Sequence, residues 1–155
     1  MQLPQARVSI CRRAFFTCGR RLRHPDWSDA RNREAFGPDA LPHGHDYVLD
    51  VFYSGPVNTH DGMIVNLTDM KPVIAQAIDP LDGKWLDEDV EHFRAHRPTV
   101  ENLVNFVWNA LPAQMGSGTL ARISLSESRR VCVTKDAHSM KITRKYEFAA
   151  AHRLH

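Results

Sequence analysis

The sequence has no long apolar run, few cysteines and little net charge, and each shortage excludes a class of protein. No run approaches the ~20 apolar residues of a membrane-spanning helix, so we expect no membrane partner. The three cysteines are odd in number and have no paired spacing, which argues against a disulfide framework. The opening segment MQLPQARVSI has no signal-peptide core, so a cytoplasmic location is expected.

A net charge of +2 gives no reason to expect a nucleic-acid surface. The arginines between Arg7 and Arg23 are interleaved with apolar side chains, which is typical of a strand with one wet face. A length of 155 residues, with 43% apolar and 25% charged residues, suits one globular domain with its own core.

The hydrophobic pattern predicts an α+β domain. Alternating or β-branched segments predict five strands, over 8–17, 45–53, 63–65, 120–126 and 131–133. Capping residues and helical spacing predict two helices, from about Asn66 through Ile78 and from about Pro98 to Leu111. The polar stretch 23–42 is predicted to be a long irregular loop. This order favours an antiparallel sheet with helices packed on one face.

Two histidines, His43 and His45, lie at the start of the second predicted strand. Residues i and i+2 of a strand point to the same face, so these two imidazoles can bind one ion. Neutral imidazole suits Zn²⁺, and a catalytic zinc site needs three protein ligands and one open position. A pair of surface histidines with no metal remains the alternative.

Six motifs occur along the chain in a consistent order: F-x-x-x-x-R-L at 16–22, P-H-G-H-D-Y at 42–47, D-G-M-I-V-N-L-T-D-M-K at 61–71, P-L-D-G-K-W-L-D at 80–87, P-T-V-E-N at 98–102 and S-E-S at 126–128. In this order the chain resembles the 6-pyruvoyl-tetrahydropterin synthase family, which includes the 6-carboxy-tetrahydropterin synthases. The resemblance covers roughly residues 8–136 and looks nearer to the pyruvoyl branch. It implies a tunnelling fold, with a four-stranded antiparallel sheet and two helices on one face, and subunits that close into barrels as a homo-oligomer.

The resemblance also implies a zinc ion as cofactor, held by three histidines. His43 and His45 match the paired ligands. Glu127 matches the glutamate that anchors the pterin ring; a solvated residue beside a turn is the alternative. Thr99 and Glu101, with Asn102, match the helix start near the pterin, although helix capping alone would explain them as well.

Catalytic positions match less well. Asp82 matches the aspartate of the catalytic pair, with a polar turn residue as the alternative, but its partner histidine is replaced by Gly83. Asp39 stands near the place of the catalytic cysteine, and a carboxylate is a much weaker base than a thiolate. Arg20 occupies the position of the third metal ligand, and a guanidinium has no lone pair for a metal. These departures predict a degenerate active site.

The end of the chain repeats its beginning. Residues 140–154 (MKITRKYEFAAAHRL) match residues 8–22 (VSICRRAFFTCGRRL) at five identical positions, at an offset of 132 residues. His152 then stands where the first copy has Arg20, and the segment 148–155 resembles the opening motif of the family. We therefore expect a degenerate pterin-synthase-like domain over 1–136, followed over 137–155 by a linker and the first strand of a second, truncated copy.

Three functions follow as hypotheses. The first is an impaired or non-catalytic synthase-like protein that binds a pterin or acts as an oligomer scaffold. The second is an active zinc-dependent lyase in which His152 supplies the third ligand to His43 and His45, acting on a dihydroneopterin triphosphate-like molecule. The third is a pterin or purine binder with no metal, which needs only Glu127 and its pocket. No nucleic-acid partner is expected under any of them.

Overall fold

The computed structural model describes residues 7–150 of the chain. Strand β1 spans Arg7–Arg20, helix α1 spans Asp29–Phe36, a 3₁₀ turn spans Gly37–Ala40, and strand β2 spans His43–Pro56. Residues 57–66 then lead to helix α2 at Leu67–Ile78, which the Asn66 side chain caps by accepting a hydrogen bond from the Thr68 amide.

The second half of the domain is built of shorter elements around one long helix. Its helices are α3 at Leu86–Asp89, α4 at Glu91–Ala95 and α5 at Val100–Ala110. Its strands are β3 at Lys84–Trp85, β4 at Gln114–Met115, β5 at Gly118–Ser126, β6 at Val131–Lys135 and β7 at Met140–Arg144. Both long helices expected from the sequence, α2 and α5, are present.

The segment 23–42, predicted to be irregular, contains helix α1 instead. This helix has no apolar stripe, and its buried residue is Asn32. The Asn32 side chain accepts a hydrogen bond from the His24 amide and donates to the carbonyls of His24, Trp27 and Ser28. One buried polar side chain therefore organises the segment, and apolar periodicity gives no signal for it.

The predicted short strand over 63–65 is wrong. Its flanking turn closes locally, because the Asn58 amide donates to the Met63 carbonyl and the Met63 amide donates to the Asp61 carboxylate. Ile64 and Val65 are buried in a loop, where the Ile64 carbonyl accepts from the Ser117 amide. These two residues are apolar because they are buried beneath the loop after β4. They do not pair with a neighbouring strand.

The sheet has the order β3-β1-β2-β5-β6-β7, and β4 pairs with β5 at its edge. The strands β1, β2, β5 and β6 form the expected four-stranded antiparallel sheet, and three short strands extend it. The α+β tunnelling fold is confirmed, although the number of strands within residues 7–150 is larger than expected. No helix in this range is long and apolar enough to cross a membrane.

Helices α2 and α5 pack on one face of this sheet. They contribute Met70, Ile74, Leu103, Val104 and Val107 to the core, all nearly inaccessible. The sheet contributes alternate residues: Tyr47, Leu49, Val51, Tyr53, Ile123 and Leu125. Apolar burial of this size is the main stabilising contribution to such a domain, and it fixes the register of the strands that carry the candidate site.

Candidate functional site at the paired histidines

The candidate site lies where β1 ends and β2 begins. The β1–β2 ladder places Arg20 opposite His43, Cys18 opposite His45, and Phe16 opposite Tyr47. Directly paired residues of antiparallel strands point to the same face. Because Phe16 and Tyr47 belong to the core, this face is the one covered by the helices, and their rings stack with centroids 5.0 Å apart.

Arg20 is buried, with 5% of its surface exposed. Its Nη1 atom donates to the carbonyl of Pro98 at 2.6 Å, and its Nη2 atom donates to Oε1 of Glu127. Its Nε atom has no hydrogen-bond partner. Arg20 therefore joins the end of β1 to the start of α5 and to the β5–β6 hairpin through one buried guanidinium.

Glu127, just after β5, is the centre of the polar cluster. Besides Arg20, its Oε1 atom accepts a hydrogen bond from the Tyr47 hydroxyl at 3.2 Å. Nε2 of His45 lies 3.3 Å from the same oxygen, without the geometry of a hydrogen bond. Burial raises the pKa of Tyr47 well above its ordinary value, so its hydroxyl stays protonated and donates. The cluster holds Glu127 as a paired carboxylate.

The two histidines lie with ring centroids 4.7 Å apart. Nδ1 of His43 is 2.7 Å from the Leu41 carbonyl, which assigns the proton to Nδ1 and leaves a lone pair on Nε2. Nε2 of His45 is also buried without a hydrogen-bond partner. The pKa of His45 is lowered, mainly by burial, and Arg20 and His43 add to the effect against the opposing charge of Glu127. Burial therefore favours the neutral form of the His45 ring.

These residues do not fit a zinc ion. The two unpartnered Nε2 atoms are what a metal pair requires, but the third position implied by the resemblance holds a guanidinium, which has no lone pair for a metal. That guanidinium already neutralises Glu127. Across residues 7–150, no group of three or more His, Cys, Asp or Glu side chains is placed to hold a metal ion. His152, the expected alternative ligand, lies outside the described residues.

The predicted substrate residues at the start of α5 are partly used by the helix itself. Oγ1 of Thr99 accepts a hydrogen bond from the Asn102 amide at 3.3 Å, which is a capping contact. Glu101 lies in the first turn and is half-buried. The hydrogen bond from Arg20 to the Pro98 carbonyl joins the start of α5 to the polar cluster. Thr99, the next residue, therefore lies near Arg20.

The two predicted catalytic aspartates occupy different environments. Oδ1 of Asp82 accepts a hydrogen bond from the Thr17 amide at 2.9 Å, and the Gly83 amide donates to the Thr17 carbonyl at 2.7 Å. Asp82 thus ties the turn before β3 to β1. Asp39 is more than half exposed, and its Oδ1 atom lies 3.7 Å from Nε2 of His43. Gly83 has φ of +69°, a conformation that disfavours a histidine at this position.

Sequence reasoning missed Tyr47 and Cys18, although strand alternation could have found both. Tyr47 follows His45 by two residues, and Cys18 precedes Arg20 by two. Burial raises the pKa of Cys18 to about 12, so it is a thiol at neutral pH and not a nucleophile. A cleft of about 330 Å³ opens beside Cys18 and His45, and one of about 710 Å³ opens beside Pro98 and Thr99.

Comparisons with known proteins agree on one family. The family model described as 6-pyruvoyl tetrahydropterin synthase matches residues 9–137. A 6-pyruvoyl tetrahydrobiopterin synthase of Drosophila melanogaster is 38% identical over 109 residues, 68% of this chain and 65% of that protein. One of Pongo abelii is 37% identical over 127 residues, 80% of this chain and 86% of that protein. The solved 6-pyruvoyl tetrahydropterin synthase of Caenorhabditis elegans superposes with a TM-score of 0.78 at 29% identity, over 88% of this chain and 99% of that one.

Proposed function

Because the chain belongs to the 6-pyruvoyl tetrahydropterin synthase family, we propose that it is a protein of pterin metabolism whose domain has lost the zinc-dependent lyase reaction. The observation that carries this proposal is the buried Arg20–Glu127 ion pair. A zinc ion between His43, His45 and a third histidine would supply the Lewis acid of the parent reaction. Arg20 takes the place of that third histidine.

Two further substitutions, at Asp39 and Gly83, support the loss of catalysis. In the sequence, Asp39 stands near the position of the family's catalytic cysteine, and its side chain is more than half exposed to solvent. Gly83 carries no proton where the motif has a histidine. Asp82, which matches the family's aspartate, accepts a hydrogen bond from the Thr17 amide through Oδ1. No single one of these changes could be repaired by another, because Arg20, Asp39 and Gly83 affect the metal, the base and the proton donor separately.

Pterin binding does not require those groups. Within residues 7–150, Arg20, Tyr47 and His45 all approach the Glu127 carboxylate at Oε1. Its second oxygen, Oε2, is left for N–H donors of the kind that a pterin's aminopyrimidine edge presents. We therefore propose a ligand-binding or scaffolding copy, in which Arg20 and Tyr47 hold Glu127 in place without a metal.

Calorimetry with neopterin tests the binding proposal. The wild-type chain should bind, and Glu127→Gln should weaken binding by at least tenfold because a charged acceptor is lost. Glu34→Gln, on the exposed side of α1, is the matched control and should bind as the wild type does. No turnover of dihydroneopterin triphosphate is expected. Turnover by the purified chain would overturn the claim of lost catalysis, and equal binding by Glu127→Gln would overturn the role of Glu127.

The second candidate is an active lyase completed by His152. The Nε2 atoms of His43 and His45 favour it, because both are buried without a hydrogen-bond partner. This candidate predicts zinc in the wild-type chain and its loss in His152→Ala. It also requires Arg20 to leave Glu127, a movement that breaks two hydrogen bonds of a buried guanidinium. Zinc that persists in His152→Ala, or that is absent from both proteins, would exclude this candidate.

A further inference from the structure

Two paired glycines mark the end of the sheet on the face that the helices do not cover. Gly44 lies between His43 and His45, and successive residues of a strand point to opposite faces. The two histidines face the Glu127 cluster, so Gly44 faces the other side of the sheet. Gly19, its partner across the β1–β2 ladder, faces the same way.

Trp85 covers one of these glycines. β3 pairs with β1 so that Trp85 is the partner of Gly19. The indole ring packs directly on Gly19, because a Cβ atom added there would lie 2.5 Å from Cε3 of the ring. The Trp85 amide donates to Oδ2 of Asp89 at 2.8 Å, which holds the backbone in place. The indole is therefore fixed against β1, yet 41% of the Trp85 surface is exposed.

The second glycine leaves a cleft beside the indole. A Cβ atom at Gly44 would meet no other atom within 4 Å. The cleft of about 330 Å³ beside Cys18 and His45 is lined by both glycines and by Trp85. A floor of bare backbone beside an indole ring fits a flat ligand, and this volume is at the lower end of the range for small-molecule sites.

The polar groups of the cleft indicate what kind of ring it fits. Asp46 follows Gly44 by two residues, so it lies on the same face, and its exposed side chain lines the cleft. Lys84, also exposed, lines the cleft next to Trp85. A carboxylate accepts two parallel N–H bonds, and an ammonium donates to a carbonyl oxygen. The complementary ligand edge carries two adjacent N–H donors and a carbonyl.

We propose that this cleft binds a flat heterocycle with an amino-pyrimidinone edge, which stacks on Trp85 and donates two N–H bonds to Asp46. Guanine bases and pterins share this edge. The site is distinct from the one at Glu127, because the sheet lies between them. The inference goes beyond the proposed function and does not depend on it, since it uses none of the side chains around Glu127.

Nuclear magnetic resonance of the full chain, with ¹⁵N-labelled tryptophan, tests the proposal. Guanosine and neopterin are titrated separately. A ligand in the cleft should shift the indole N–H resonance of Trp85 through its ring current, and Trp85→Phe assigns that resonance. Trp27 and Trp108 are the other two tryptophans of the chain, and their resonances should stay in place.

Two variants change the cleft in different ways. Gly44→Leu fills it and should abolish the shift of Trp85; Gly44 is not among the glycines with positive φ, so a side chain is tolerated there. Asp46→Asn removes the charged acceptor and should weaken binding at least tenfold. Asp26→Asn, at a carboxylate that is 85% exposed before α1, is the matched control and should bind as the wild type does.

The choice of ligand tests the edge. Adenosine lacks the ring N–H and the carbonyl beside its amino group, so it should bind at least tenfold more weakly than guanosine. A Trp85 shift with guanosine alone assigns the cleft to a nucleobase, and a shift with neopterin alone assigns it to a pterin. No shift with either ligand would overturn the proposal, and so would equal binding of adenosine.

The position of the ligand is tested against the Glu127 site. Glu127→Gln should leave the Trp85 shift unchanged. A shift that is lost in Glu127→Gln but kept in Gly44→Leu would place the ligand at Glu127, and would overturn this inference while supporting the proposed function. Calorimetry with neopterin in the Gly44→Leu background measures the Glu127 site alone. Circular dichroism checks folding, and Asp46→Asn decides if Gly44→Leu does not fold.

Discussion

One sequence pattern occurs twice, in β1 and in the segment from β7 onward, and the two copies differ in how far their side chains are buried. Phe16 is 3% exposed and stacks on Tyr47, whereas Phe148, its counterpart at the repeat offset, is 92% exposed. The difference lies in the partners, because β1 is paired with β2 and covered by helices, while the later copy has only β6. The pattern of apolar residues in a strand indicates which side chains can be buried. Whether they are buried depends on the strands and helices that pack beside them.

The largest effect should come from breaking the buried copy. Phe16→Ala removes a core ring and should lower the free energy of unfolding by about 3–5 kcal/mol. Phe148→Ala is the matched change in the second copy and should alter the free energy by less than about 0.5 kcal/mol. Urea unfolding of the two variants checks this comparison. Equal losses would mean that residues 145–150 are packed in solution, contrary to this account.

The next largest effect concerns the polar end of β1. Arg20→Met leaves Glu127 with a buried, unpaired charge and should cost about 3–5 kcal/mol. The double variant with Glu127→Gln should recover part of this loss, because the charge is then gone. Arg13→Met breaks an ion pair with Asp50 on the open face and should cost far less, because solvent screens this pair. Chemical denaturation of the set measures the difference; a cost for Arg20→Met no greater than for Arg13→Met would show that the ion pair is not buried.

A smaller effect on stability tests whether Asp82 has a structural role, as the acceptor for the Thr17 amide. Asp82→Ala removes the acceptor for the Thr17 amide and should cost about 1 kcal/mol of stability. Asp82→Asn keeps an acceptor oxygen and should cost less. Asp39→Ala, at a largely exposed carboxylate, should be nearly neutral. Thermal unfolding of the three variants is the measurement, and no loss in Asp82→Ala would contradict the tie between the turn and β1.

The smallest effect is on pH dependence. Burial lowers the pKa of His45 below its ordinary value of 6.5 in the folded chain. The unfolded chain therefore binds a proton more readily, so the contribution of His45 is fully present above pH 6.5 and is lost as the pH falls through the folded pKa. His45→Gln should flatten this fall, and His60→Gln, on an exposed loop, should leave it unchanged. An identical fall in all three proteins would assign it to other groups.

The local sequence pattern was enough to predict part of the candidate site. The alternation of β2 predicts that His43 and His45 share a face, and helix capping predicts where α5 begins at Thr99. Neither reveals that Arg20 and Glu127 meet, because their contact spans 107 residues of sequence and depends on the pairing of β1, β2 and β5. Helix α1 was missed for a related reason, since buried Asn32 organises it and no apolar stripe marks it.

The motifs show where the sequence departs from the family pattern, but they do not show which contacts the replaced residues make. The replacement of a ligand by Arg20 predicts the loss of a metal position. That this guanidinium pairs with the predicted pterin-anchoring Glu127 is visible only in three dimensions. The contact gives the ligand position an ion pair with Glu127, and it makes Arg20 the residue whose change is most informative.

The zinc content of the full chain, dialysed at neutral pH after exposure to excess zinc, tests this account most directly. The wild type should retain far less than one zinc per chain. Arg20→His should retain about one, because the third imidazole completes the set begun by His43 and His45. Zinc retained at about one per wild-type chain would contradict the claim that Arg20 has replaced the metal ligand.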